Sequence, residues 1–171
     1  ELTITLQLSG EAIFVVDENG DRIRQLTPLQ DVISSSVVWS SDGEWLYYVA
    51  VDHGEQEYVL YRQHYDGSRQ SELLRVPSNL YILDGASDGF FVMSSSRDRT
   101  GYQSSRLYHV SMLDGSLIPL TPEDGRFSMR YFDTGQWFFV FQLDEDSKIT
   151  DVYRLSADGT ALTPLIEHIP S

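Results

Sequence analysis

The stretch Trp39-Ser40-Ser41-Asp42-Gly43-Glu44-Trp45-Leu46-Tyr47-Tyr48-Val49-Ala50 cuts a tight polar turn, Ser41-Asp42-Gly43, into an apolar run. Asp-Gly between alternating apolar runs is a strong short-range hairpin signal, because both residues tolerate positive φ. After the turn Trp45, Tyr47, Val49 and Val51 point one way, and Leu46, Tyr48 and Ala50 the other. A strand apolar on both faces is covered on both. The stretch therefore reads as a hairpin whose second strand lies between two layers.

The turn recurs. Ser87-Asp88-Gly89 and Asp133-Thr134-Gly135 repeat it, placing glycines at 43, 89 and 135, two intervals of 46. Each follows an apolar run with an aromatic and precedes a denser one, FFVM or QWFFVFQL. A second series interleaves at Asn19-Gly20, Asp66-Gly67, Asp114-Gly115 and Asp158-Gly159, with glycine intervals of 47, 48 and 44. Each unit of about 46 residues thus holds four short strands, a to d, with one series joining a to b and the other c to d. Four strands repeated every 40–50 or so residues are the signature of a β-propeller blade. A β-sandwich is the alternative, but it does not require two turn series locked at one period.

The predicted fold is therefore all-β, with four-stranded antiparallel blades at roughly 1–31, 32–76, 77–122 and 123–171. Glu1–Leu8 reads as strand b, so the first unit has three strands and the total is fifteen, one short of four blades. Two readings follow: Ile166–Ser171 supplies the missing strand and closes a four-bladed ring, or the chain is a segment of a larger propeller. The second is favoured. Blade faces left bare at the ends promote association, so a homodimer is expected if the ring is open.

Composition bounds the function. The 171 residues are enough for one domain, and aromatics at 12% suit β structure. The absence of cysteine excludes disulfides, thiolate zinc sites and cysteine nucleophiles. A net charge of −14 repels phosphate backbones and anionic membrane surfaces, so nucleic acid is not an expected partner. No run of 18 apolar residues exists, so membrane insertion is not expected, and any signal peptide or anchor is expected outside this stretch.

The unit LT…VVWSSDGEWLYYVA…YVLYRQHYDGS resembles the repeat of TolB-type propellers, related to WD-type repeats. Leu26-Thr27, Leu120-Thr121 and Leu162-Thr163 match the family's Leu-Thr pair, and Trp39-Ser40-Ser41-Asp42-Gly43 matches its aromatic turn, with Ser41 in place of proline. Leu60-Tyr61, Leu107-Tyr108 and Val152-Tyr153 match its aliphatic-Tyr strand, while Phe132-Asp133-Thr134-Gly135 departs from the pattern at Thr134. The resemblance implies a binding scaffold, often extracytoplasmic (periplasmic or cell-surface), that docks proteins or peptides on one face. It also implies the propellers that gate a peptidase domain, but no Gly-x-Ser-x-Gly elbow is present here.

Few residues suggest chemistry. His53, His64, His109 and His168 form no zinc pattern; His64 and His109 fall in c strands, and His109 aligns with Tyr61 when the c–d turns are superposed. Both read as structural. The acidic clusters 17–21 and 144–148 read as a hairpin and a loop rather than as a calcium site, which needs six to eight or so oxygens. No Ser/His/Asp grouping has a motif context, so no catalytic residue, metal or cofactor is predicted. The b–c and d–a loops emerge on one face, and the longest is Ser94–Ser105. Its Arg97 and Arg99, rare positive charges here, form with Asp98 and Tyr102 a candidate docking patch, since Arg and Tyr are enriched at hot spots. The expected function is a non-catalytic scaffold for a protein or peptide partner, the alternative a propeller domain gating a hydrolase domain outside this chain. Carbohydrate or small-ligand binding in a central channel is a third reading.

Overall fold

The computed structural model describes residues 2–8, 10–16, 19, 23–27, 32–85, 89–97, 103–123, 125–131, 137–146, 148–156 and 158–169. They form fifteen strands in four sheets, each strand bonded to its neighbour in sequence. The first sheet has three: β1 (Leu2–Leu8), β2 (Gly10–Val16) and β3 (Ile23–Gln25). The second has β4 (Val32–Trp39), β5 (Trp45–Asp52), β6 (Glu57–His64) and β7 (Gln70–Val76). The third has β8 (Asn79–Gly85), β9 (Gly89–Arg97), β10 (Gln103–Ser111) and β11 (Leu117–Pro119), and the fourth β12 (Phe127–Tyr131), β13 (Trp137–Leu143), β14 (Ile149–Ser156) and β15 (Leu162–Ile166). These are the strands a to d of propeller blades, with a missing from the first.

The chain divides into two compact units, Glu1–Ile82 and Leu83–Ser171. In the first, Ile13 and Val15 of β2 pack on Leu46, Tyr48 and Ala50 of β5, flanked by Leu26, Trp39 and Tyr61. In the second, Phe91 and Leu107 of the third sheet pack on Phe127, Phe138, Val140 and Leu155 of the fourth. Each unit thus buries one apolar face of one sheet against the next.

The turns that set the period differ in kind. Gly67, Gly115 and Gly159 have positive φ, and Asp66, Asp114 and Asp158 each accept the backbone N–H two residues on. That is the Asx-turn chemistry of Asp-Gly hairpins. Gly43 is also left-handed, at φ 73, and Ser40 Oγ bonds the Asp42 carboxylate beneath it. Gly89 is not a turn residue: it opens β9 and pairs with Ser111. Across the c–d turns, His64 N–H donates to Arg69, Ser111 to Ser116 and Ser156 to Ala161, which makes His64, Ser111 and Ser156 equivalent. Their b-strand partners are Trp45, Gly89 and Trp137, so Gly89 holds the position of a tryptophan. The regular glycine interval of 46 was coincidental at Gly89; Ser87, Asp88 and Asp133-Thr134-Gly135 lie outside the described residues.

The same pairing corrects the alignment of His109. The Asp114-Gly115 turn carries its glycine one residue later than its counterparts, because Gly115 N–H reaches back four residues to Ser111 while Gly67 and Gly159 reach back three. His109 therefore corresponds to Arg62 and Arg154, and the motif tyrosines Tyr61, Tyr108 and Tyr153 fall into register.

The Leu-Thr pair has a specific task at two sites. Leu26 N–H donates to Ile13 O, and Thr27 Oγ1 accepts from Ile13 N–H. Leu120 and Thr121 do the same to Leu107. The hydroxyl extends the ladder one rung past the end of strand d and satisfies a buried N–H. Leu162-Thr163 is not a third copy: Leu162 pairs with Leu155 at the start of β15, and Thr163 is exposed. Residues 167–169 form no strand, and they hold to β14 through His168 N–H on Asp151 Oδ1 and Ile169 N–H on Thr150 O.

Candidate functional site

The docking patch expected at Arg97, Asp98, Arg99 and Tyr102 lies outside the described residues, apart from the backbone of Arg97 at the end of β9. The strands below it are described. Arg97 pairs with Gln103, and the Ser96 and Ser104 hydroxyls share a 2.7 Å hydrogen bond.

The histidines have packing roles where they are seen. His64 stacks edge-on against Trp45 at 5.2 Å, and its Nδ1 lies 2.7 Å from the Asp66 carboxylate. The Ser68 hydroxyl and N–H, and then His64, hold Asp66 well below the usual carboxylate range. His109 is buried, its ring 5.5 Å from that of Phe91. It lies over two glycines: a Cβ on Gly89 would stand 2.2 Å from His109 Nε2, and one on Gly159 2.5 Å from its ring. The equivalent pairs in the second and fourth sheets are Arg62 over Trp45 at 3.9 Å and Arg154 over Trp137 at 4.1 Å. Imidazole over glycine replaces guanidinium over indole. In the 144–148 loop, Asp144 Oδ1 accepts from the backbone N–H of Asp146 and Lys148, so the carboxylate organises its own turn. Among the described residues no group of three His, Asp or Glu is placed to hold a metal ion.

A cleft of about 380 Å³ opens between the d–a connection after β11 and the fourth sheet. Thr121, Pro122 and Gly125 of the d–a connection form one wall. Phe127 of β12, Gln142 of β13, Tyr153 of β14 and Leu162 of β15 form the other. Its frame is pinned by hydrogen bonds. Ser105 Oγ accepts from Phe127 N–H at 2.6 Å and donates to Phe127 O at 2.8 Å, tying β10 to β12. Arg126 donates to the carbonyls of Asp144 and Glu145, tying the connection to the b–c loop. The Tyr153 hydroxyl donates to Gln142 Oε1 at 3.0 Å. Burial, then the charges of Asp151 and Glu167, push the Tyr153 hydroxyl up, which keeps it protonated as that donor.

Thr121, Tyr153 and Leu162 were read from the sequence as motif positions of the repeat, and none of the lining residues as a binding residue. The core beside the cleft differs between aligned strands of the two units. Facing the first sheet, Tyr48 of β5 stands where β13 has Val140. Gln63 and Gln70, which pair across β6 and β7, stand where Leu155 and Leu162 pair across β14 and β15. In the first unit Gln70 Nε2 donates to the Tyr48 hydroxyl, which donates to Gln63 Oε1. That chain fills the interface, and burial pushes the Tyr48 hydroxyl up to about 12. In the second unit the tyrosine and both amides are replaced by aliphatic residues.

No family model and no curated protein matches this sequence. Solved structures do match. The β-propeller domain of the trilobed protease from Pyrococcus furiosus superposes with a TM-score of 0.59 at 15% identity, over 92% of this chain and 50% of that one. Oligogalacturonate lyase from Vibrio parahaemolyticus gives 0.59 at 14% identity, over 98% and 49%. TolB from Acinetobacter baumannii gives 0.50 at 15%, over 91% and 37%. The chain spans half or less of each of these structures. The shared property is the fold: a TolB-like β-propeller.

Proposed function

We propose that this chain is a non-catalytic module of a TolB-like β-propeller, and that it holds a protein or peptide partner on the side where the b–c loops and d–a connections emerge. The observation that carries this is the cleft beside the 120–126 connection and the 144–148 loop, with walls pinned by Ser105, Arg126 and Tyr153. A concave site with apolar walls and a few placed polar groups is the form that binding sites take. Arg97, Asp98, Arg99 and Tyr102, which share the b–c side, belong to the same docking surface in this reading. An extracytoplasmic location is part of the proposal and is supported by the resemblance to the TolB repeat.

The test is affinity capture with the wild-type chain and with Arg97→Ala plus Arg99→Ala. A partner whose recovery falls about tenfold in the double variant supports the loop patch, as expected when hot-spot side chains are removed. Unchanged recovery of every partner removes it. The second reading, a propeller domain gating a hydrolase or peptidase domain, is supported by the likeness to the trilobed protease propeller. An α/β-hydrolase pattern in the coding sequence beyond residue 171 would favour it.

A further inference from the structure

We draw no further inference here: the strongest candidate, the half-buried aromatic face that Trp137, Phe139 and Phe141 form on β13 of the fourth sheet, carries nothing because nothing in the structure shows what covers it.

Discussion

Gly89 shows what one residue decides. Its place in β9 belongs to a tryptophan in the sheets on either side of it in sequence, and here His109 fills the space above it. Gly89→Ala would bring a Cβ 2.6 Å from the Val110 carbonyl as well as onto the imidazole. A backbone carbonyl cannot step aside, so the variant is expected to lose roughly 2 kcal/mol, typical of overpacking. Adding His109→Ala should return only part of that. Urea unfolding checks it, and a loss under about 0.5 kcal/mol, the range of an ordinary surface change, would contradict the pairing. The Asp-Gly turns make a second prediction. The Ser156 hydroxyl, then the Thr160 N–H, bring the Asp158 carboxyl from 3.8 in the unfolded chain to about 2. A depressed folded value contributes stability above pH 3.8 that is lost as pH falls towards 2. Asp158→Asn should therefore lower stability near neutral pH, flatten its dependence on pH in that window and change little below about pH 2, as a pH series of thermal melts would show.

At the scale of the element, the Leu-Thr pair explains how a short outer strand ends. β11 has three residues, and its ladder would leave Leu107 N–H buried without a partner if Thr121 Oγ1 were not there. Thr121→Val keeps the shape and removes the acceptor. It should lower stability by about 1–3 kcal/mol, the range for a buried donor left unsatisfied, while Thr121→Ser retains most of it. Equal melting of the valine and serine variants would show that shape, not the hydrogen bond, matters. The motif was legible in the sequence at Leu26-Thr27 and Leu120-Thr121. It misled at Leu162-Thr163, because a dipeptide carries no information about how far along strand d it sits.

For the whole molecule, exposure varies between equivalent faces. Tyr47 of β5 is fully buried, whereas Phe139, its counterpart in β13, is only half-buried. Half-covered aromatic surface promotes association. Light scattering is expected to show a mass that rises with protein concentration, and Phe139→Ser should reduce the rise without lowering the melting temperature steeply. A mass independent of concentration in the wild type would dismiss a self-association role for that face.

The sequence by itself determined the class of architecture. Asp-Gly turns at a near-constant period, and strands apolar on both faces, are local properties, and both carry over to the four sheets and fifteen strands. Only the tertiary structure decided which residues are equivalent. One turn with a shifted glycine moved His109 from Tyr61's row to Arg62's, and a second glycine proved to be a packing residue. The cleft was illegible for the same reason. Its lining comes from the 121–125 connection and from Phe127, Gln142, Tyr153 and Leu162 on four different strands, which strand register brings together. Register depends on the hydrogen bonds between strands, which the order of residues along the chain does not display.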